Sequence, residues 1–330
     1  MKLGLIGLKG HQSVVLSGMK QLGGWEVVGI AETDAKEVER LKKRDPQAKN
    51  ATHFEDWRRL LDHTQMDVCL VCDENAARAE QLIALAKLGV HVVAEKPLTT
   101  TLPDLKHVRE AWANAKGRLT MLLTMRHEPK YPTARRLIRE GVIGEPAQAS
   151  AQKSYRLEKR QEWFRTRAKL GGIIPYIGIH ALDLIRWVGG QEFTQVAAFH
   201  GTQGHRDVMG ETESQASVLL RLANGGSATA RLDYLRPATT ETHGDDRLRI
   251  AGTEGVIEMR QDNPKVMLIT AKQKPYEVEP EKVPNLFVAF WKAVQDGKPS
   301  PIPAEECFSI TEVVLKARDA ADTGKVVSLA

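Results

Sequence analysis

The sequence predicts two joined folds: a doubly wound parallel α/β sheet over residues 1–125, and an α+β domain over 126–330 with a large, mainly antiparallel open sheet. Three observations predict it. The chain has 330 residues, more than a single core of about 250 to 300 residues usually serves. Its first third alternates short runs of Val, Leu and Ile with amphipathic stretches, the pattern of a parallel sheet covered on both faces. After Arg126 the apolar runs lengthen and are joined by turns such as Asn224-Gly225-Gly226, which suits antiparallel strands.

The elements follow in order. An apolar run predicts a strand over 3–6, and apolar residues every three or four positions predict a helix over 11–21. A second strand over 25–31 leads to a polar-faced helix over 35–44, then a helix over 54–61. Residues 66–72 are continuously apolar, as a strand buried on both faces must be. A helix over 76–88, a strand over 90–94, a helix over 105–115 and a strand over 119–124 continue the alternation. Beyond a helix over 131–140, strand-like runs occupy 147–154, 195–199, 214–222, 227–234, 247–252, 256–260 and 265–269. Helices over 286–295 and 305–323 close the chain, capping one domain or bridging both. One face of an open sheet needs cover, and a second copy of the chain would supply it, so a homodimer or homotetramer through the C-terminal sheet is expected.

Composition narrows the function classes. Lys and Arg number 47 against 42 Asp and Glu, a net charge of +5, but the charges are interleaved. Lys42-Lys43-Arg44 reads as a solvated helix face and 156–169 as a basic loop. No aromatic residues alternate with them as a nucleic-acid groove would require, so nucleic acid is not expected as a partner. Cys69, Cys72 and Cys307 form neither a disulfide framework nor a zinc set. No run of about 18 apolar residues predicts a membrane span, and the first residues pass directly into a strand. The expectation is a reduced, cytoplasmic protein with no membrane partner. His200, His205 and Asp207 lie in a glycine-containing loop rather than at metal-ligand spacing, and no metal is expected.

The first strand runs into Gly7-Leu8-Lys9-Gly10-His11-Gln12 and then a helix. In a dinucleotide fold, glycines here let the backbone approach a pyrophosphate seated on the helix N-terminus. Lys9 and Gln12 replace the second and third glycines, so this stretch alone reads equally as an ordinary strand-to-helix turn. Glu32-Thr33 at the end of the second strand stands where an acidic side chain binds ribose hydroxyls. Glu32 would repel a 2′-phosphate, which favours NAD over NADP, although Lys9 and Thr33 leave that open.

Glu95-Lys96-Pro97, after the strand that follows Gly89-Val90-His91, resembles a motif of the glucose-fructose oxidoreductase and inositol dehydrogenase (Gfo/Idh/MocA) family. Similarity continues through Met125-Arg126-His127-Glu128-Pro129, Gly141-Val142-Ile143-Gly144, Trp163-Phe164, Gly171-Gly172 and Gly178-Ile179-His180-Ala181-Leu182-Asp183, and so spans nearly the whole chain. The resemblance implies a Rossmann domain, a nicotinamide cofactor and a sugar or polyol substrate. It implies that Lys96, at the ligand-binding edge of the sheet, polarises the substrate hydroxyl. It also makes His180 the general base, with Asp183 either orienting it or serving the first turn of its helix. Lys96 and His180 are expected to meet beside the nicotinamide. Glu95, Lys96, Pro97 and Arg126 fall at cofactor positions by the same likeness.

Two departures matter. Where many relatives carry an Asp four residues before the His, this chain has Tyr176, which can bind a hydroxyl but supplies no negative charge at neutral pH. Cys72-Asp73-Glu74-Asn75 stands where the family often has Ala-Thr-Pro-Asn, and Arg78 replaces a helix-opening His. Cys72, Asp73 and Asn75 remain cofactor candidates. Tyr176, with neighbouring Ile177, is a substrate candidate beside Lys153, Tyr155, Trp163 and Arg165, which could wall a sugar or anchor the loop. Three readings stay open: a sugar or polyol dehydrogenase, an enzyme recycling bound NAD for epimerisation or glycoside cleavage, or a non-catalytic cofactor-binding regulator.

Overall fold

The computed structural model describes residues 1–329 and comprises two compact units: Met1–Thr124 with Pro284–Ser309, and Met125–Val283 with the residues from 310 onward. The first boundary falls next to the expected one, but 284–309 belongs with the N-terminal unit rather than the second. Packing explains the return: Trp25 meets Phe287 and Trp291 edge-on at 5.1 and 4.8 Å, and Asn285 donates to the Val14 carbonyl.

In the first unit, β1 (Lys2–Ile6), β2 (Glu26–Ala31), β3 (Thr52–Phe54), β4 (Val68–Val71), β5 (His91–Ala94) and β6 (Leu119–Met121) form a parallel sheet ordered β3-β2-β1-β4-β5-β6. The order reverses between β1 and β4, the switch point where such sheets bind ligands. Leu3, Leu5, Val68 and Leu70 are wholly buried, as the unbroken apolar runs required. The helices are α1 (Gln12–Leu22), α2 (Ala35–Arg44), α3 (Trp57–His63), α4 (Arg78–Leu88) and α5 (Leu102–Trp112). Asp34, Asp56 and Thr101 cap α2, α3 and α5 by accepting backbone N–H groups. The helix expected over 54–61 divides, because Phe54 pairs with Ala31 as the end of β3 and Asp56 starts the helix two residues later.

The second unit holds nine strands: β7 (Pro146–Arg156), β8 (Phe193–Gly201), β9 (Gln215–Leu222), β10 (Ser227–Arg236), β11 (Arg247–Gly252), β12 (Gly255–Arg260), β13 (Asn263–Thr270), β14 (Gln273–Val278) and β15 (Val327–Ser328). Their order is β14-β13-β12-β11-β7-β10-β9-β8-β15, antiparallel except for β7 beside β10. Helices Lys130–Arg139 and Ile179–Gly189 pack on one face of this sheet. The other face is open, and β9 alternates buried and exposed positions along its length.

One expectation needs correction. The helical stretch Arg167–Gly189 has the length and mean hydropathy, 1.3, of a membrane-crossing helix, although no such run was expected. Its most apolar window is 83% buried within the protein, which accounts for its apolarity as that of a core helix.

Candidate active site

The glycine turn after β1 is tight. Gly7 has φ +74°, and a Cβ there would lie 2.5 Å from the Asp73 Cα, so no other residue fits without moving backbone. At Gly10 a Cβ would stand 2.4 Å from Glu95 Oε1. Gly7 N–H donates to Ala31 O at 2.8 Å and Lys9 N–H to Cys72 O at 2.7 Å. Glu32 is buried, accepting the Leu8 N–H on Oε2 at 3.0 Å, and the Asp34 N–H and Thr33 hydroxyl on Oε1. Lys9 sits 3.1 Å from Asp73 and 3.5 Å from Glu32. Burial opposes its charge, but the two carboxylates prevail and hold its pKa above the ordinary lysine value. Burial likewise opposes ionisation of Asp73, which Lys9 and a hydrogen bond from Gln81 outweigh, leaving its pKa low.

These residues fit a dinucleotide. The turn is a cradle that any Cβ would fill, and α1 starts at Gln12 with no side-chain cap and no acid in its first turn. Its N–H groups and the positive end of its dipole suit a pyrophosphate. Glu32 would take the adenosine ribose hydroxyls, and Lys9 would lie between it and Asp73.

Farther along the same sheet edge, Glu95 is a buried hub. Its Oε1 lies 2.6 Å from His11 Nδ1, and its Oε2 accepts the Lys96 N–H at 3.1 Å. Burial alone would raise its pKa; His11, Lys96 and Arg78 overcome that and bring it to about 2. Lys96 is itself buried, and the Lys96–Pro97 bond is cis. Arg78, fully buried, donates to the carbonyls of Glu95 (3.0 Å), Pro97 and Asp73 and to Asn75 Oδ1. Arg78 was noted in the sequence only as a departure. Here it spans the carbonyls on either side of Lys96 and so fixes the turn that presents the lysine. Asn75 is a partner of Arg78, Gln12 turns back to Leu8 O at 3.4 Å, and Cys72 contributes a buried thiol and a backbone carbonyl.

In the second unit, a π-helical turn Ile174–Gly178 leads directly into the helix carrying His180, which is buried. Such turns recur at functional positions because the wider coil re-aims side chains. Tyr176 lies in it, edge-on to Phe164 at 5.3 Å and Trp163 at 6.3 Å. Phe164 in turn meets Tyr234 at 5.8 Å, and Tyr234 meets Tyr155 at 6.1 Å. Burial pushes the phenol pKa values of Tyr155 and Tyr234 far up, so both are neutral donors. Lys153, wholly buried, pairs with Asp246 and lies 5.2 Å from the Tyr155 ring centre. Burial lowers its pKa despite Asp246.

Several expected site residues are placed otherwise. Arg126 belongs to the second unit, where its guanidinium grips Asp183 in a two-pronged, buried pair (Nε to Oδ2 2.8 Å, Nη2 to Oδ1 2.6 Å) and stacks at 5.1 Å on Trp187. Arg165 turns to Glu162 at 3.5 Å and the Asp207 carbonyl at 3.2 Å, and Ile177 is a core residue. His200 lies 3.1 Å from Asp322, and among the described residues no group of three His, Cys, Asp or Glu side chains is arranged for a metal. Sequence reasoning missed Tyr234, Asp246, Phe164 and Arg160. Tyr234 could have been suspected, because alternation along β10 puts it on the buried face with Ala230 and Leu232.

A glycine cradle at the switch point of a six-stranded parallel sheet, followed by a long open sheet, defines the class of two-unit nicotinamide-dependent oxidoreductases. The comparisons agree: residues 1–123 match the family model described as oxidoreductase family, NAD-binding Rossmann fold, and 131–258 match the GFO/IDH/MocA C-terminal domain. The chain belongs to the Gfo/Idh/MocA family, and its cofactor is NAD. A solved Thermotoga maritima structure of a candidate oxidoreductase is 31% identical, covering 99% of this chain and 100% of that one, with a TM-score of 0.92. The 1,5-anhydro-D-fructose reductase of Ensifer adhaerens is 26% identical over 99% of this chain and 98% of its own. The myo-inositol 2-dehydrogenase of Thermotoga maritima is 25% identical over 78% and 74%. Some other curated relatives are matched over less than two thirds of their own length, 42% for YteT of Bacillus subtilis.

Proposed function

We propose that this protein is an NAD-dependent dehydrogenase or reductase of a sugar or polyol hydroxyl carbon, with Lys96 and His180 as its acid and base groups. The observation that carries this reading is the buried Lys96 at the carboxyl edge of the six-stranded sheet, its turn held by Arg78 and its backbone N–H bound to Glu95. A buried ammonium donor there stabilises alkoxide character on the substrate oxygen, while the imidazole of His180 takes the hydroxyl proton near neutral pH. When bound, the nicotinamide supplies the hydride acceptor or donor. The neutral phenol of Tyr176 binds a substrate hydroxyl. The names of the relatives, a myo-inositol dehydrogenase and an anhydrofructose reductase, support a polyol or sugar as substrate.

A second copy of the chain covers the open face of the second sheet in this reading. Phe199 and Leu219 are 74% and 54% exposed there, and the Arg249–Glu258 pair lies on the same face beyond β10 and β7. A face carrying both apolar groups and both signs of charge can meet itself across a twofold axis.

The test is NADH formation on a panel of sugars and polyols. Net NADH in proportion to product is expected, and His180→Ala and Lys96→Ala should each lower kcat/KM by about 100-fold or more. Intact activity in both variants would refute the assignment. Turnover without net NADH would instead indicate cofactor recycled in place.

A further inference from the structure

Between β7 and the π-helical turn, the segment 156–169 carries Arg156, Lys159, Arg160, Arg165, Arg167 and Lys169 against only Glu158 and Glu162. Most of its arginines are accounted for. Arg156 donates to the carbonyls of Ala238 and Thr240, Arg165 to Asp207 O beside Glu162, and Arg167 to Glu213 and Asp322. Arg160 differs. Like those of Arg156 and Arg165, its Nε is a buried donor without an acceptor, but among the described residues its guanidinium has no oxygen partner, carboxylate or other, and lies instead over the rings of Phe164 at 4.7 Å and Tyr234 at 5.1 Å.

Resting a half-buried guanidinium on two aromatic faces offsets only part of its lost hydration. It leaves the edge of the planar fork, with its in-line N–H donors, unused. The neighbouring groups do not cancel its charge. The phenols of Tyr155 and Tyr234 are neutral, and Asp246 is already paired with Lys153. The cluster thus offers the half-buried phenols of Tyr155 and Tyr176 for hydroxyls and one uncompensated cation.

We propose that the substrate is an anionic sugar, a sugar acid or sugar phosphate, whose negative group is bound by Arg160 while Tyr155 and Tyr176 meet its hydroxyls. This inference rests on the sugar-oxidoreductase reading and specifies its substrate class.

The experiment uses the full-length protein with NAD and compares glucose, glucuronate and glucose 6-phosphate as paired probes, by NADH formation and by ligand-induced rise in Tm. At least one anionic probe is expected to be preferred over glucose, and which one identifies carboxylate or phosphate as the group read. Its KM should rise with ionic strength, as screening of a charge pair demands. Arg160→Met should raise that KM by about 10- to 100-fold, the loss of a charge-assisted hydrogen bond, and raise the KM for glucose by much less. Arg160→Lys should restore part of the difference, which loss of packing alone would not permit. Equal handling of glucose and both anions, or an equal effect of Arg160→Met on all three, overturns the inference while leaving the dehydrogenase reading intact. Absence of turnover and of a Tm shift with every probe, together with the failure of the wider sugar panel, would overturn both.

Discussion

The two sheets of this protein bury themselves differently, and each keeps its buried charge differently. In the first unit, Leu3, Leu5, Val68 and Leu70 are all inaccessible, with helices on both faces. Its interior carboxylate Glu95 accepts from His11 and the Lys96 backbone N–H, and the charge of Arg78 stabilises it further. In the second unit, only one face of the sheet is covered, Leu219 is 54% exposed, and the interior Lys153 has a single carboxylate partner, Asp246. A charge held by several groups tolerates loss of one, whereas a charge held by one partner does not.

The largest effect should come from breaking that single pair. Asp246→Ala leaves Lys153 buried and uncompensated and should cost about 3 to 5 kcal/mol in urea unfolding, whereas Lys153→Met combined with Asp246→Leu should regain most of it. If the double variant is as unstable as the single one, the pair is not the source of the loss.

Glu95 gives a pH signature. Its folded pKa, about 2, lies below its ordinary value, so its contribution is complete above about pH 4.5 and is lost as pH falls through about 2. That contribution is roughly 3 kcal/mol at neutral pH. Glu95→Gln should therefore flatten the acid limb of stability against pH between about 4.5 and 2; an unchanged slope would mean that the carboxylate is not held in this way.

The mildest contrast is between faces. Leu5→Ala should destabilise the monomer by about 2 to 5 kcal/mol, and Leu219→Ser by less than about 0.5 kcal/mol. Leu219→Ser should instead shift the assembly toward monomer in analytical ultracentrifugation. A large loss of stability with unchanged assembly would show that the face is not used by a second copy.

The contrast also explains what was legible. Unbroken apolar runs and helical spacing located most of the parallel sheet, and alternation located the strands from β7 to β13. Strand β3 was hidden because Thr52–Phe54 is three residues long and abuts a helix start. Strand β14 was hidden because nearly every residue of Gln273–Val278 is exposed, leaving no apolar pattern. Of the candidate site, the glycine turn, Glu32, Lys96, His180 and Tyr176 could be found from local motifs. The pairing of Arg126 with Asp183, the orientation of Arg165 and the cluster of Tyr155 with Tyr234 could not, because the partners lie far apart in the chain.

By itself the sequence determined the class of fold, the glycine turn and the lysine at the strand end, since each depends on residues close along the chain and on backbone geometry that local chemistry dictates. Tertiary structure decided which charges are already spent. Arg126 and Arg78 are consumed by buried oxygen partners while Arg160 rests on aromatic rings, and no spacing in the sequence distinguishes these arginines, because long-range packing alone selects the partner of a side chain.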